Sequence, residues 1–284
     1  MKSERVSFLN ARELRLAARL DLPSRHTPKA FALFAHCFTC SKEFKAAVNI
    51  GKALARAGFG VLRFDFTGLG ESEGEFPDTN LTSNIDDVLA AVRFLETHYT
   101  APQILIGHSF GGIAMLKAAR AIPSAVAVVT IATPSDPKHV LEHFGESRAR
   151  IESEGSAEVQ VLGHRVRIKR QFIDDVTAVD VQTDLRDLNK ALLILHAPGD
   201  EVISIEHAAQ LFAYARHPKS FVTLDSADHL LSDRSDAAYA GGLIAAWVSH
   251  YINSVGYHDT SSEGDGVNPP QQATESTAQF AQFL

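Results

Sequence analysis

Between Ala30 and Leu224 the chain alternates short apolar runs with stretches whose apolar residues recur every three or four positions. Few architectures accept that rhythm. A run of four to eight apolar residues is too short for a buried helix and reads as a strand inside a sheet covered on both faces. Ala30–Ala35, Val61–Phe64, Gln103–Ile106, Ala125–Ala132, Ala191–Leu195 and Phe221–Leu224 are such runs. Between them, Ala47, Ile50, Leu54 and Ala57 share one helical face and Gly58 is placed to stop it. Ile85, Val88, Leu89, Val92 and Leu95 mark a second helix, and Phe110–Ala121 and Glu206–Ala215 two more. A closing helix, Ala237–Tyr251, is expected to bury Leu243, Ile244, Trp247, Val248 and Tyr251. Strands alternating with helices predict an α/β fold, a mostly parallel central sheet with helices on both faces. Val6–Leu9 and Leu14–Leu20 precede it as a hairpin turning at Asn10 and Ala11.

The rhythm breaks after Pro134 and resumes at Ala191. Residues 135–190 are expected to form a small cap or lid, since a long insertion with its own secondary structure usually serves a site. Within it, Glu158–Leu162 and Arg165–Lys169 flank Gly163 and His164, which predicts a hairpin with those two as its turn. The core then comprises residues 1–134 and 191–255. From 256 to 284 the composition shifts to Ser, Gly, Asp, Gln and Pro, which predicts a disordered tail.

Composition narrows the function classes. The 284 residues are 45% hydrophobic and 21% charged, consistent with one globular domain. A formal net charge of −7 with no basic stripe argues against nucleic-acid binding. Met1–Asp21 is charged and lacks the apolar centre of a signal peptide. No apolar run reaches the roughly 20 residues a bilayer requires. A cytoplasmic protein without membrane contact is expected, its oligomeric state open and a homodimer among the options. The two cysteines, Cys37 and Cys40, are too few for a structural zinc site, which takes about four ligands, so no metal is expected.

Gly107-His108-Ser109-Phe110-Gly111 fits G-x-S-x-G, and its setting gives the match weight. It follows the apolar run Gln103–Ile106 and opens the small-residue helix at Phe110, with Gly112 following. A sharp strand-to-helix turn of this kind lifts a serine hydroxyl clear of the sheet end, and a Cβ at the glycines would clash with neighbouring backbone. The second match, Gly68-Leu69-Gly70-Glu71-Ser72, precedes no apolar helix, so Ser72 reads as a loop residue.

Serine becomes a useful nucleophile when a histidine takes its proton, and a carboxylate must fix that histidine's tautomer. On this kind of sheet the order is Ser, acid, His. After the run Ala191–Leu195, Asp200 lies just beyond the strand end, with Glu201 as the competing carboxylate. The Pro198-Gly199 turn favours Asp200. After the last strand comes His229, in order and at the same sheet end, while Asp225 and Asp228 read as loop caps. Oxyanion stabilisation takes two preorganised donors, here the backbone N–H of Phe110 and that of Phe38 in the loop after Ala35, with Cys37 as the alternative.

With these residues placed, the chain resembles the α/β-hydrolase superfamily from about residue 3 to 253. The segments HCFTCSK (36–42), RFDFTGLGESEG (63–74), LIGHSFGG (105–112), HAPGDEVI (196–203) and HPKSFVTLDSADHLL (217–231) resemble one group more narrowly. In that group the hydrolase domain is often fused to an osmotically induced peroxide-reductase-like (OsmC) domain. The resemblance implies an esterase-type α/β-hydrolase fold, Ser109, Asp200 and His229 as triad, Phe38 and Phe110 as N–H donors, and no cofactor. It does not extend to the peroxidase domain, since the residues after Tyr251 are few, polar and without cysteine. Cinnamoyl-type esterases are similar too, with a short hairpin-bearing cap and Gly where this chain has Cys37.

The expected activity is cleavage of small-molecule carboxylic esters of short to medium acyl chain through an acyl-enzyme. A thioesterase, lactonase or C–C hydrolase would use the same triad, with Phe144, Phe172 and Ile173 as candidates for the acyl wall or for ordinary cap core. A reading of another class makes Cys37 and Cys40 a thiol-redox or stress-associated module, with an OsmC-type protein as partner in trans.

Overall fold

The computed structural model describes residues 1–161 and 163–254. Eight strands form one sheet: β1 (Lys2–Leu9), β2 (Arg15–Leu22), β3 (Phe31–Ala35), β4 (Gly60–Phe64), β5 (Ile104–His108), β6 (Ala127–Ile131), β9 (Ala191–His196) and β10 (Lys219–Thr223). Their spatial order is β1-β2-β4-β3-β5-β6-β9-β10. The opening hairpin β1–β2 is antiparallel, as is the β2–β4 pairing, and every later pairing is parallel. The strands β3, β4, β5, β6 and β9 are buried along their whole length, which is why they read as nearly continuous apolar runs, broken at Arg63 in β4 and Thr130 in β6.

Two apolar layers sandwich the sheet. On one face α1 (Lys45–Arg56) packs against α8 (Arg234–Ser254), with Ile50, Leu54, Ile244 and Val248 buried between them and the strands. Leu243, Trp247 and Tyr251 are only half-buried on the flank of α8, where alanines (Ala237, Ala240, Ala245) fill the contact. The other face carries α2 (Leu81–His98), α3 (Phe110–Ala118) and α7 (Glu206–Tyr214). Asn10 holds the hairpin turn to this layer: its side chain accepts from the Leu14 amide at 3.1 Å and donates to Asp87 at 2.8 Å.

Residues 135–190 leave the sheet after β6 and return at β9. They contain a 3-10 segment (Pro137–Phe144), α4 (Ser147–Glu154), the hairpin β7 (Ser156–Val161) and β8 (His164–Lys169), α5 (Arg170–Ala178) and α6 (Val181–Arg186). The hairpin turn lies one residue earlier than its sequence suggests. Val161 pairs with His164, so His164 belongs to β8 and not to the turn. Gly163 takes φ +82°, the left-handed conformation that glycine adopts freely, and the register follows from it. Ala157, Val159, Val161 and Ile168 then face inward. The stretch 255–284, where a disordered tail is expected from composition, lies outside the described residues.

Candidate active site

The functional groups gather where the parallel strands end. Ser109 follows the last residue of β5 directly and caps α3 with φ 53° and ψ −123°, a backbone conformation that costs an L-residue of order 1–3 kcal/mol. Close packing over-determines it. A Cβ on Gly107 would lie 2.4 Å from the Gly112 Cα, and one on Gly111 only 2.3 Å from the His36 carbonyl oxygen. The Ser109 amide is tied to the Ile131 carbonyl at 2.8 Å and its own carbonyl accepts from Gly112 at 2.9 Å. The serine is thus held at the top of the sheet with α3 starting beneath its side chain.

Asp200 stands in the loop after β9, its carboxylate fully buried. One oxygen accepts the Val202 and Ile203 amides, both at 2.9 Å, and the other lies 2.8 Å from Nδ1 of His229. Burial alone would raise this carboxyl. The His229 hydrogen bond and charge, with the two amides, outweigh burial and hold it below the ordinary aspartate range. Glu201 is exposed, whereas Asp228 accepts the Ser232 amide at 2.8 Å as a loop cap. Ser72 is likewise structural: its hydroxyl donates to the Asp65 carbonyl at 2.7 Å and accepts the Ala17 amide at 2.9 Å.

Ser109 and His229 line one cavity of about 30 Å³ together with Phe38 and Phe110, the two expected amide donors. His229 is 4% exposed, and its Nε2 has no hydrogen-bond partner among the described residues. Residues 135–190 supply part of the opposite wall, notably Val140, His143 and Val161. His143 is drawn below the ordinary histidine range first by burial and then by His139, so it is neutral at neutral pH. Phe144, Phe172 and Ile173 do not line this cavity. They are buried behind it, where the Phe172 ring packs 5.1 Å from Phe38 and 5.8 Å from Phe110 between centroids.

The loop carrying Phe38 is anchored by an ion network, buried except at Glu71, that its sequence does not reveal. Lys42 is 2% exposed, and its ammonium lies 2.6 Å from both Asp65 and Glu71. Arg63 pairs with Asp21 at 2.8 Å and donates to the Lys42 carbonyl. Within the loop Cys37 and Cys40 form a disulfide, with Cα atoms 5.3 Å apart. Among the described residues no cluster of three or more His, Cys, Asp or Glu is disposed to hold a metal ion. No helix among them is long and apolar enough to cross a membrane.

The fold is that of an alpha/beta hydrolase, and the chain belongs to that family, whose model matches residues 32–241. The esterase domain of a Rhodothermus marinus protein is 46% identical, covering 89% of this chain and 100% of that one with a TM-score of 0.74. Mouse palmitoyl-protein thioesterase ABHD10, a mitochondrial protein by name, is 27% identical over 81% of this chain and 78% of its own. Est1E from Butyrivibrio proteoclasticus, solved with ferulic acid bound, shares the fold at 19% identity, with a TM-score of 0.73 over 87% of this chain and 100% of that one.

Proposed function

We propose that this chain hydrolyses carboxylic esters of short to medium acyl chain through an acyl-enzyme on Ser109. The observation that carries the reading is His229, 2.8 Å from the buried Asp200 carboxylate and lining the same cavity as a serine on a strained elbow. His229 takes the Ser109 proton as the hydroxyl oxygen attacks the ester carbonyl. The Phe38 and Phe110 amides receive the negative charge that develops on the carbonyl oxygen. His229 then gives its proton to the departing alcohol and activates the water that releases the acid, while Asp200 stabilises the imidazolium. No step calls for a metal or an organic cofactor.

Residues 135–190 act as the cap. At about 30 Å³ the cavity holds little more than a water molecule or two, so an ester enters by displacing the cap wall at Val140 and Val161. The test is a series of p-nitrophenyl esters from acetate to octanoate, with Ser109→Ala alongside. Wild type should turn over the shorter members, and the variant should lose at least about 10⁴-fold in kcat. Absence of turnover across the series, or retained turnover in the variant, rejects the reading.

The relationship to a palmitoyl-protein thioesterase favours a second reading, hydrolysis of thioesters on the same triad. Competition between matched butyryl ester and butyryl thioester substrates separates the two by their kcat/KM ratio.

A further inference from the structure

Three buried histidines stand at the carboxyl ends of three parallel strands. His36 follows β3, His108 closes β5 and His196 closes β9. All three are 1% exposed or less, and none is a member of the Ser109–His229–Asp200 group. Each ring reaches a backbone carbonyl in a loop that bears a functional group. His108 Nε2 lies 2.7 Å from the carbonyl oxygen of His229, across 121 residues of sequence. His196 Nε2 lies 2.7 Å from the carbonyl of Ile203, whose amide holds the Asp200 carboxylate, and 3.5 Å from that carboxylate itself, too far for a hydrogen bond of its own. His36 Nδ1 lies 2.7 Å from the carbonyl of Cys37, next to Phe38, and its Nε2 accepts the Phe66 amide at 3.3 Å.

A carbonyl only accepts, so in each case the imidazole must donate, which fixes its tautomer. Burial lowers the proton affinity of all three, His108 to about 3, so the rings are neutral single donors at neutral pH. A neutral donor suits the two strand ends beside the Asp200–His229 pair, because an imidazolium at His108 or His196 would compete with His229 for the Asp200 carboxylate and disfavour the imidazolium that His229 becomes. The His108 ring also packs 5.2 Å from that of His229 between centroids, supporting it from behind.

We propose that His36, His108 and His196 are positioning residues, each locking through one carbonyl the loop that delivers the oxyanion donor, the base and the acid respectively. The proposal rests on the hydrolase reading. It explains why a residue as costly to bury as histidine occupies three equivalent strand ends.

The sharpest test is at His108 and His196, where phenylalanine keeps the ring and removes the donor while glutamine places an amide N–H near the old Nε2. On a p-nitrophenyl ester each Phe variant should lose about 10–100-fold in kcat, with KM within about 3-fold, since misplacement of a catalytic group by about an ångström costs that much. Each Gln variant should recover to within about 5-fold of wild type. The rate at which a fluorophosphonate labels Ser109 should follow the same pattern. The downfield proton resonance of the His229–Asp200 hydrogen bond should broaden or move in His108→Phe and return in His108→Gln.

Phe variants as fast as wild type, or Phe and Gln variants slowed alike, overturn the proposal. If a Phe variant does not fold, the Gln variant decides: a folded Gln protein slowed by more than about 5-fold also overturns it. Wild-type failure on every ester and thioester would instead reject the functional reading, while labelling and the resonance would still report on positioning.

Discussion

The wall of the cavity that bears Ser109 and His229, with Asp200 behind it, is held by directional bonds at buried positions, whereas the wall from residues 135–190 is held mainly by apolar contact. On the first, the carboxylate of Asp200 has three partners within 2.9 Å and the serine backbone is locked by the Ile131 carbonyl and the Gly112 amide. On the second, Phe172 touches Phe38, Phe110 and Phe144, and the polar joints to the core range from half-buried, as where His139 Nε2 lies 3.0 Å from the Val202 carbonyl, to exposed. Lys169 pairs with Asp78, and Asp175 accepts from Thr82 at 2.6 Å, both in exposed positions. Directional bonds fix atoms to fractions of an ångström, as proton transfer requires. Apolar contact fixes volume and tolerates rearrangement, as admission of varied acyl groups requires.

Breaking the directional wall should have the largest consequence. Asp200→Asn keeps the shape but cannot hold the correct His229 tautomer, so kcat should fall about 10³–10⁴-fold with KM little changed. Stopped-flow or long-time assays on p-nitrophenyl butyrate measure it. The same residue sets an acid sensitivity. Its carboxyl titrates lower folded than unfolded, so its stabilisation is present above the ordinary aspartate value of about 3.9 and is lost as pH falls through the depressed folded value. Denaturation followed from about pH 6 down to about pH 2 should therefore show a shallower decline in Asp200→Asn than in wild type.

Phe172→Ala tests the apolar wall. Truncating a buried aromatic costs about 3 kcal/mol of stability, yet the bonds around Asp200 are untouched. KM should rise about 3–10-fold while kcat stays within about 3-fold of wild type. If turnover instead slowed by about two orders of magnitude at unchanged KM, the two walls would be one mechanical unit. The smallest effect belongs to Lys169→Ala. Its exposed pair with Asp78 should contribute under about 1 kcal/mol, and kinetics should not move, as urea denaturation and initial rates would show.

Part of the directional wall is legible in the amino-acid sequence. The buried strands announce themselves as apolar runs, and Ser109, Asp200 and His229 each follow such a run at the sheet end. Whatever depends on distant backbone is hidden there. His108 is visible in the motif, but its partner is a carbonyl 121 residues on. Lys42 looks like a surface loop residue because its two carboxylate partners lie 23 and 29 positions away. In residues 135–190 the hairpin is legible from alternation, though shifted by one residue. The helices α4, α5 and α6 are not, since they are only six to nine residues long and α4 buries a single side chain, Ile151.

The excursion from Pro134 to Lys190 leaves and rejoins the sheet on adjacent strands, β6 and β9, which pair with each other from Ala127 against Ala191 to Ile131 against Leu195. The two ends of the insertion are therefore already closed by the ladder beneath them. Ancestry can lengthen, shorten or exchange this stretch without reopening the sheet or disturbing Ser109 on the next strand over. On the proposed reading, in which residues 135–190 are the cap, substrate range and catalytic chemistry become heritable as separate parts, and a graft of another relative's segment between positions 134 and 191 is the natural way to give this scaffold a new diet.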